Sequence, residues 1–366
     1  MITEAAVVAA PGAPFTLREV TLPEPGPRDV VVAVAGVGMC HTDLAVRDGT
    51  LYETPFPLVC GHEGAGVVER VGADVSTVRP GDQVVVSFRF CGTCDRCVAG
   101  DVSYCARTLR LNYGSGGGTG EPAARLADGT EVYTRFFGQS SFARHLVAPE
   151  TSVVPVDAGA DLPWLGPLGC SIQAGAGAVI NVARPRPGDS AVVYGVGAVG
   201  LSAVAAARVA GCDPVIAVDR HPARRTRAVE VGAHLALDAA DGALVKEIRR
   251  ATRGGATFAF DCTGVPAVLP EAVRALDRLG TCVVVGAVPP RSQAPFDASQ
   301  LMAGRTVRGT TAGDSNPRLF IPRLVRLWRS GALPVQELAS PFAFPHFDAA
   351  GQAMASGSVV KPVVLL

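Results

Sequence analysis

Cys40, His62 and Cys170 supply two thiols and an imidazole, and four more thiols crowd into fifteen positions at Cys91, Cys94, Cys97 and Cys105. Zn2+ takes tetrahedral sulfur and nitrogen ligands. The Cys-x2-Cys-x2-Cys-x7-Cys run can therefore close around one ion, with zinc–sulfur bonds of about 2.3 Å and no position left open, which is a structural site. Free surface thiols are the alternative, but four together would invite oxidation. A nucleic-acid finger fits poorly, because Arg89 and Arg96 are too few basic residues and no histidine takes part. Cys40, His62 and Cys170 make a different set, with three ligands and a fourth position for water or substrate. Taken singly, each cysteine reads as well as a small buried hydrophobe, and the histidine as a satisfied core residue. Their coincidence with a nucleotide motif tips the reading toward a metal.

That motif is Gly195-Val196-Gly197-Ala198-Val199-Gly200. It follows a β-rich run and opens a helical one. The first glycine permits the tight turn, the second admits a pyrophosphate, and the third lets helix and strand pack closely. Backbone N–H groups and the helix dipole then face the phosphate charge. Alone, the pattern also fits a tight turn in any sheet protein. Asp219 sharpens it, since a carboxylate at the end of the next strand can bind both ribose hydroxyls and repel a 2′-phosphate, favouring NAD over NADP. Arg220, Arg224 and Arg225 pull toward NADP, or form a solvated helix start.

These groups need a scaffold. The first part of the chain has short β-rich runs, such as 30–37 and 67–71, separated by turn signals at 25–27, 80–82 and 127–129. An antiparallel, barrel-like domain is expected there. From about residue 165 the texture changes to alternating strand (190–194, 214–218, 258–260, 281–285) and helix (199–210, 222–231), the rhythm of a doubly wound parallel sheet. It ends near 298, and the tail is expected to return to the first domain. Residues 114–120 read as a mobile glycine-rich loop. Lys+Arg and Asp+Glu both number 33, so no net field favours nucleic acid or an anionic membrane. The apolar stretch 191–210 carries three glycines and Arg208, and residues 1–10 include Glu4 without a basic start. A soluble, cytoplasmic protein without a secretory signal is expected. Cysteines clustered for metal rather than paired also point to a reducing compartment.

Taken together, Cys40-His41-Thr42-Asp43, Gly61-His62-Glu63, the four-cysteine loop, Gly169-Cys170, Gly195 to Gly200 and Asp219 resemble the zinc-containing alcohol dehydrogenases of the medium-chain dehydrogenase/reductase superfamily. The segments Phe136-Phe137-Gly138-Gln139-Ser140-Ser141-Phe142 and Gly166-Pro167-Leu168-Gly169-Cys170 are similar to its aryl (benzyl) alcohol dehydrogenase branch. The resemblance implies an α/β protein. A mainly β, GroES-like barrel over 1–165 and 301–366 would carry the catalytic machinery, and a Rossmann doubly wound sheet over 166–300 would bind NAD. It implies two Zn2+ per subunit and reversible hydride transfer between an alcohol carbon and the nicotinamide. Thr42 would take the hydroxyl proton, Asp43 would fix the His62 tautomer, and Glu63 would tune the coordination from behind. Asp43 and Glu63 read alternatively as loop caps. Cofactor contacts carried over by position are His41, Thr42, Ala198, Val199, Arg220, Arg224, Cys262, Thr263, Val285, Gly286, Ala287 and Lys361, the last as a basic phosphate contact. Family members often end the proton relay on a histidine at the position held here by Ala45, so release would pass through ribose and water, or through His41.

Candidate walls of the substrate pocket are Thr42, Ser87, Leu111, Phe136, Phe137 and Ala312. Thr42 narrows the space beside the metal, and the paired phenylalanines suit a flat aromatic or allylic group, or are ordinary core packing. The expected partners are a small primary alcohol or its aldehyde and a second copy of the chain, a homodimer with a tetramer as the alternative. Rival readings keep the fold and change the chemistry. One is an S-hydroxymethylglutathione or general aliphatic alcohol dehydrogenase, another a zinc-free, NADPH-dependent quinone or enoyl reductase. A non-catalytic dinucleotide-binding protein would have no need of an open metal site.

Overall fold

The computed structural model describes residues 1–115 and 124–366. Residues 116–120 of the glycine-rich run lie outside them. The chain divides into two compact units, one of Met1–Cys170, Asn316–Arg326 and Val335–Leu366, the other of Ser171–Ser315 and Leu327–Pro334.

The first unit is built of two sheets. Five strands form the smaller sheet in the order Leu58–Val59, Ile2–Val8, Thr16–Thr21, Ala124–Leu126 and Glu131–Val132, with every neighbour antiparallel. The larger sheet is organised by Asp29–Gly38, whose sequence DVVVAVAGVG carries β-branched side chains on both faces. A strand so apolar needs cover on both sides. It pairs with Gly64–Val71, with His145–Pro149 and with Lys361–Leu365, all antiparallel. The C-terminal tail thus returns to the first unit by strand pairing. Ala339–Ala343 runs parallel to Lys361–Leu365, so this sheet is mixed rather than purely antiparallel.

The second unit holds six parallel strands. Numbered along the chain, they are Ala191–Tyr194, Val215–Asp219, Leu235–Asp238, Ala256–Asp261, Leu276–Val284 and Thr306–Gly309, arranged 3-2-1-4-5-6. That is the doubly wound order, whose strand order reverses between the first and fourth strands and opens a crevice at their carboxyl ends. The helix Ala198–Val209 follows the first strand and is buried from Ala198 to Ala207 except at Val199. Its alanines let it lie close to the sheet.

Two boundaries differ from those expected. The second unit extends to 315, because Thr306–Gly309 adds the sixth strand. Four residues with no alternation of buried and exposed positions carry too little periodicity to announce themselves, and the same holds for Leu235–Asp238. The first unit extends to Cys170 because the 3-10 turn Gly166–Gly169 packs on its strands. A Cβ on Gly166 would lie 2.1 Å from Glu63 O, and one on Gly169 would lie 2.2 Å from Val86 O. Among the described residues, no helix is long and apolar enough to cross a membrane.

Candidate active site

Cys40 caps the short helix His41–Arg47, whose first turn carries Thr42 and Asp43. Gly61-His62-Glu63 leads into the strand Gly64–Val71, and Cys170 ends the turn Gly166–Gly169. Within the first unit these segments converge. One ligand atom from each of Cys40, His62, Glu63 and Cys170 lies within 4.8 Å of all the others.

Hydrogen bonds order this cluster. The fully buried Asp43 accepts through Oδ1 from Gly61 N at 3.0 Å and His62 Nδ1 at 2.9 Å, and through Oδ2 from Cys40 N at 2.9 Å. An imidazole that donates from Nδ1 keeps its Nε2 lone pair free for a cation. His62 Nε2 is buried with no hydrogen-bond partner, which fits a metal ligand and is costly without one. Burial acts against charge on His62, but Asp43 outweighs it and raises the imidazole to about 10. The bond from Cys170 holds the Cys40 thiol well below its ordinary value despite burial. The same bond, together with burial, pushes Cys170 well above it. A divalent cation taking His62 Nε2 and the two sulfurs would displace the protons that His62 and Cys170 hold. Asp43→Asn is expected to lower retention of the metal here about 10–100-fold, read as metal content under chelator competition.

Glu63 and Lys361 lie behind the ligands and are both buried. Lys361 Nζ donates to Glu63 Oε2 at 2.8 Å and to Met39 O at 2.9 Å. Burial works against the ammonium, but Glu63 holds its pKa above the ordinary value, while burial raises the Glu63 carboxyl. Lys361, expected as a phosphate contact, is placed by the structure beside Glu63. Its strand, Lys361–Leu365, sits between two others, and the side chain turns inward to neutralise Glu63.

The second thiol group closes on itself. Sulfurs of Cys91, Cys94, Cys97 and Cys105 lie within 4.8 Å of one another. Backbone N–H groups of Thr93 and Cys94 point at Cys91 Sγ from 3.5 and 3.3 Å, and those of Cys91 and Arg107 at Cys105 Sγ from 3.3 and 3.4 Å. Burial pushes the Cys91 thiol up, but the bonds from Thr93 and Cys94 together outweigh it and bring it down to about 6. Donors aimed at sulfur stabilise thiolate, the form a metal binds.

Of the candidate walls, Phe137 stacks on the His62 ring with centroids 4.5 Å apart, and Phe136 meets it edge-on at 5.5 Å. Phe137 has φ 51°, a left-handed conformation unusual for an aromatic residue and held by its surroundings. Tyr113 packs on Phe136 and Phe137, and Tyr52 on Tyr113. Neither tyrosine was singled out from the sequence, because nothing local distinguishes them. Leu111 is half-buried on Thr108–Tyr113, and Thr42 Oγ1 lies 3.9 Å from Cys40 Sγ. Ser87, expected as a wall, is fully buried and donates its hydroxyl to Gly169 O at 2.7 Å, so its hydrogen bond goes to the Cys170 turn. His41 is exposed at the first turn of its helix.

The nucleotide residues belong to the second unit. Gly195 has φ 77°, and a Cβ on Gly200 would lie 2.0 Å from Gly195 O, so both glycines are sterically required. A Cβ on Gly197, at the N-cap of Ala198–Val209, would meet nothing within 4 Å, leaving open space where a pyrophosphate would approach. Asp219 ends its strand and accepts from Val196 N at 2.9 Å and His221 N at 2.8 Å. Arg224 Nη1 stands 4.0 Å from that carboxylate, and its buried Nε has no partner. Arg220 is exposed, with Nε 3.1 Å from His221 Nε2. Arg225 is instead a tie, bonded to the carbonyls of Asp219 and Arg220 and to Asp238. Cys262 and Thr263 follow the fourth strand, and Val285, Gly286 and Ala287 follow the fifth. Val285 N and Gly286 N both donate to Asp261 O, which gathers these residues at the sheet's carboxyl edge. Ala312, with φ 50°, follows the sixth strand beside Gly313, which packs on Ser171–Gly177.

Residues 26–158 match the family model of the alcohol dehydrogenase GroES-like domain, and residues 198–327 that of zinc-binding dehydrogenases. The chain is 42% identical over 366 residues to a geraniol dehydrogenase of Castellaniella defragrans, spanning 99% of this chain and 97% of that protein. A crystal structure of benzyl alcohol dehydrogenase from Acinetobacter calcoaceticus aligns with TM-score 0.94 at 38% identity, over 100% of this chain and 99% of that one. An alcohol dehydrogenase zinc-binding domain protein from Burkholderia ambifaria aligns with TM-score 0.97 at 43% identity, over 100% and 99% of the two chains. With a cluster of Cys40, His62, Glu63 and Cys170, a four-thiol loop and a parallel 3-2-1-4-5-6 sheet in one sequence, the chain belongs to the zinc-dependent medium-chain alcohol dehydrogenase family.

Proposed function

We propose that this alcohol dehydrogenase interconverts primary allylic or aromatic alcohols and their aldehydes, exchanging hydride with NAD. The aromatic wall around His62 carries the reading. Phe137, half-buried, stacks on the ligand ring with the buried Phe136 and Tyr113 behind it, and a flat π-system gains contact with Phe137 that a short aliphatic chain does not. The relatives named for geraniol and benzyl alcohol support it.

In this reading Cys40, His62 and Cys170 hold the catalytic Zn2+, and Cys91, Cys94, Cys97 and Cys105 hold a second one. The catalytic ion would supply Lewis acidity, lowering the pKa of an alcohol oxygen. Asp43 orients His62, Phe136 and Phe137 exclude water, and the Thr42 hydroxyl receives the alcohol proton. With Ala45 in place of a relay histidine, the proton leaves through the cofactor ribose and water, or through His41. Asp219 binds the adenosine ribose hydroxyls and sets the preference for NAD.

A panel of geraniol, benzyl alcohol, ethanol and S-hydroxymethylglutathione, each with NAD and NADP, tests this. We expect the first two with NAD to give the highest kcat/KM. Preference for ethanol or the glutathione adduct, or zinc-free activity on quinones with NADPH, would sink the assignment. Asp219→Ala is expected to lower the NAD-to-NADP ratio of kcat/KM about 10–100-fold, the loss of hydrogen bonds to a charged group. A homodimer through the edge strand Thr306–Gly309 belongs to the same reading. Among the described residues that strand is paired on one side only, and Leu279 and Met302 are exposed in the same unit. Light scattering that finds a monomer at micromolar concentration would refute it.

A further inference from the structure

Gln139 is buried to 1% exposure within the first unit, and its amide is fully engaged. Its Oε1 accepts from Gly64 N at 3.1 Å, and its Nε2 donates to His62 O at 3.0 Å and to Ser87 O at 3.4 Å. The orientation is forced, because a flipped amide would set N–H against N–H and oxygen against two carbonyls. Ser87 carries the connection onward, donating through Oγ to Gly169 O at 2.7 Å, one residue before Cys170. A single side chain therefore links the backbone of one ligand, His62, through Ser87 to the turn that presents another, Cys170.

Its own placement is rigid. Gln139 follows the turn Phe136–Gly138, where Phe136 N donates to Ser140 Oγ at 3.0 Å and Ser140 N to Phe136 O at 2.9 Å. The chain then zips along the His62 segment, with Ser141 N on Gly61 O and Phe142 N on Cys60 O. A Cβ on Gly61 would fall 2.4 Å from Phe142 N, so the two segments are in direct backbone contact. The amide thus reaches His62 and Ser87 from a backbone already fixed against the His62 segment.

We propose that Gln139 is a positioning residue that sets the spacing of His62 and Cys170, with Ser87 as its relay, and so prepares the site to hold its metal before substrate arrives. This rests on the reading that Cys40, His62 and Cys170 hold zinc. Asp43 fixes the rotation of the His62 ring, whereas Gln139 fixes where that ring's backbone stands relative to the Cys170 turn.

The test uses the zinc-loaded full chain. Gln139→Met keeps the length and apolar contacts but removes one acceptor and two donors. Ser87→Ala leaves the Ser87 carbonyl in place and removes the hydroxyl that donates to Gly169. We expect both to release the catalytic zinc to a chromogenic chelator about 10-fold faster than the parent, with the second zinc unaffected. In cobalt-substituted protein the d–d bands should shift, and kcat should fall while KM for NAD stays within about two-fold of the parent value. Should Gln139→Met fail to fold, Ser87→Ala carries the test alone. Lowered thermal stability with parental zinc release and cobalt spectra would mean that Gln139 is ordinary core packing and overturn the inference, leaving the metal reading intact. A parent that holds only one zinc per chain would overturn both.

Discussion

Replacing Cys170 by alanine is expected to leave a folded chain that carries one zinc instead of two and oxidises alcohols at least about 10^3-fold more slowly in kcat/KM. The size follows from the Lewis-acid role, worth several kcal/mol at the reacting oxygen, with each 1.36 kcal/mol a factor of ten. The variant should fold because the residue is small, ends a 3-10 turn and lies at the limit of its unit, with the turn still held by Ser87. Glu63 brings a carboxylate oxygen into the same cluster, so residual weak metal binding by Cys40, His62 and Glu63 is compatible with this result. Full-speed oxidation by a protein whose only metal sits in the four-cysteine loop is not. Metal content by elemental analysis and steady-state rates on the same preparation decide it.

Lys361→Met is expected to destabilise the protein by about 3–5 kcal/mol, because it strands the Glu63 carboxylate in a site with no exposure. Burial already raises that carboxyl, so the variant must either keep the charge without its lysine counter-ion or hold a proton where the parent holds a salt bridge. Adding Glu63→Gln should recover most of the loss, since removing both charges of a buried pair is far less harmful than removing one. Unfolding midpoints of the two variants measure this, with roughly 2–4 °C for each kcal/mol in a cooperative unit of this size. A phosphate contact made by the same lysine would show separately, as a raised KM for NAD.

Two of the site's components are written locally. Cys91, Cys94, Cys97 and Cys105 can meet without help from the rest of the chain, because short loops close at little entropic cost and each sulfur's N–H donors come from residues next to the thiols themselves. The turn Gly195 to Gly200 is likewise set by its own backbone, in which one glycine takes φ 77° and another leaves room for the first one's carbonyl. Residue type and spacing were therefore enough to read both, together with the alternation of strand and helix that surrounds the second.

The rest depended on distance along the chain and on burial, neither of which spacing encodes. Lys361 and Glu63 are 298 positions apart, and only the insertion of the C-terminal strand into the larger sheet turns the lysine from a plausible surface cation into a buried counter-ion. Ser87 and Gln139 look like ordinary polar residues until packing shows what their few hydrogen bonds hold. The unit boundaries near 170 and 315 differ for the same reason, since a turn or a short strand joins whichever sheet it packs on or pairs with. Residue chemistry and local backbone preference specified which atoms could bind a metal and a nucleotide. Long-range packing decided which of them share a site, because close-packed interiors choose contacts by shape and by the need to satisfy every buried polar group.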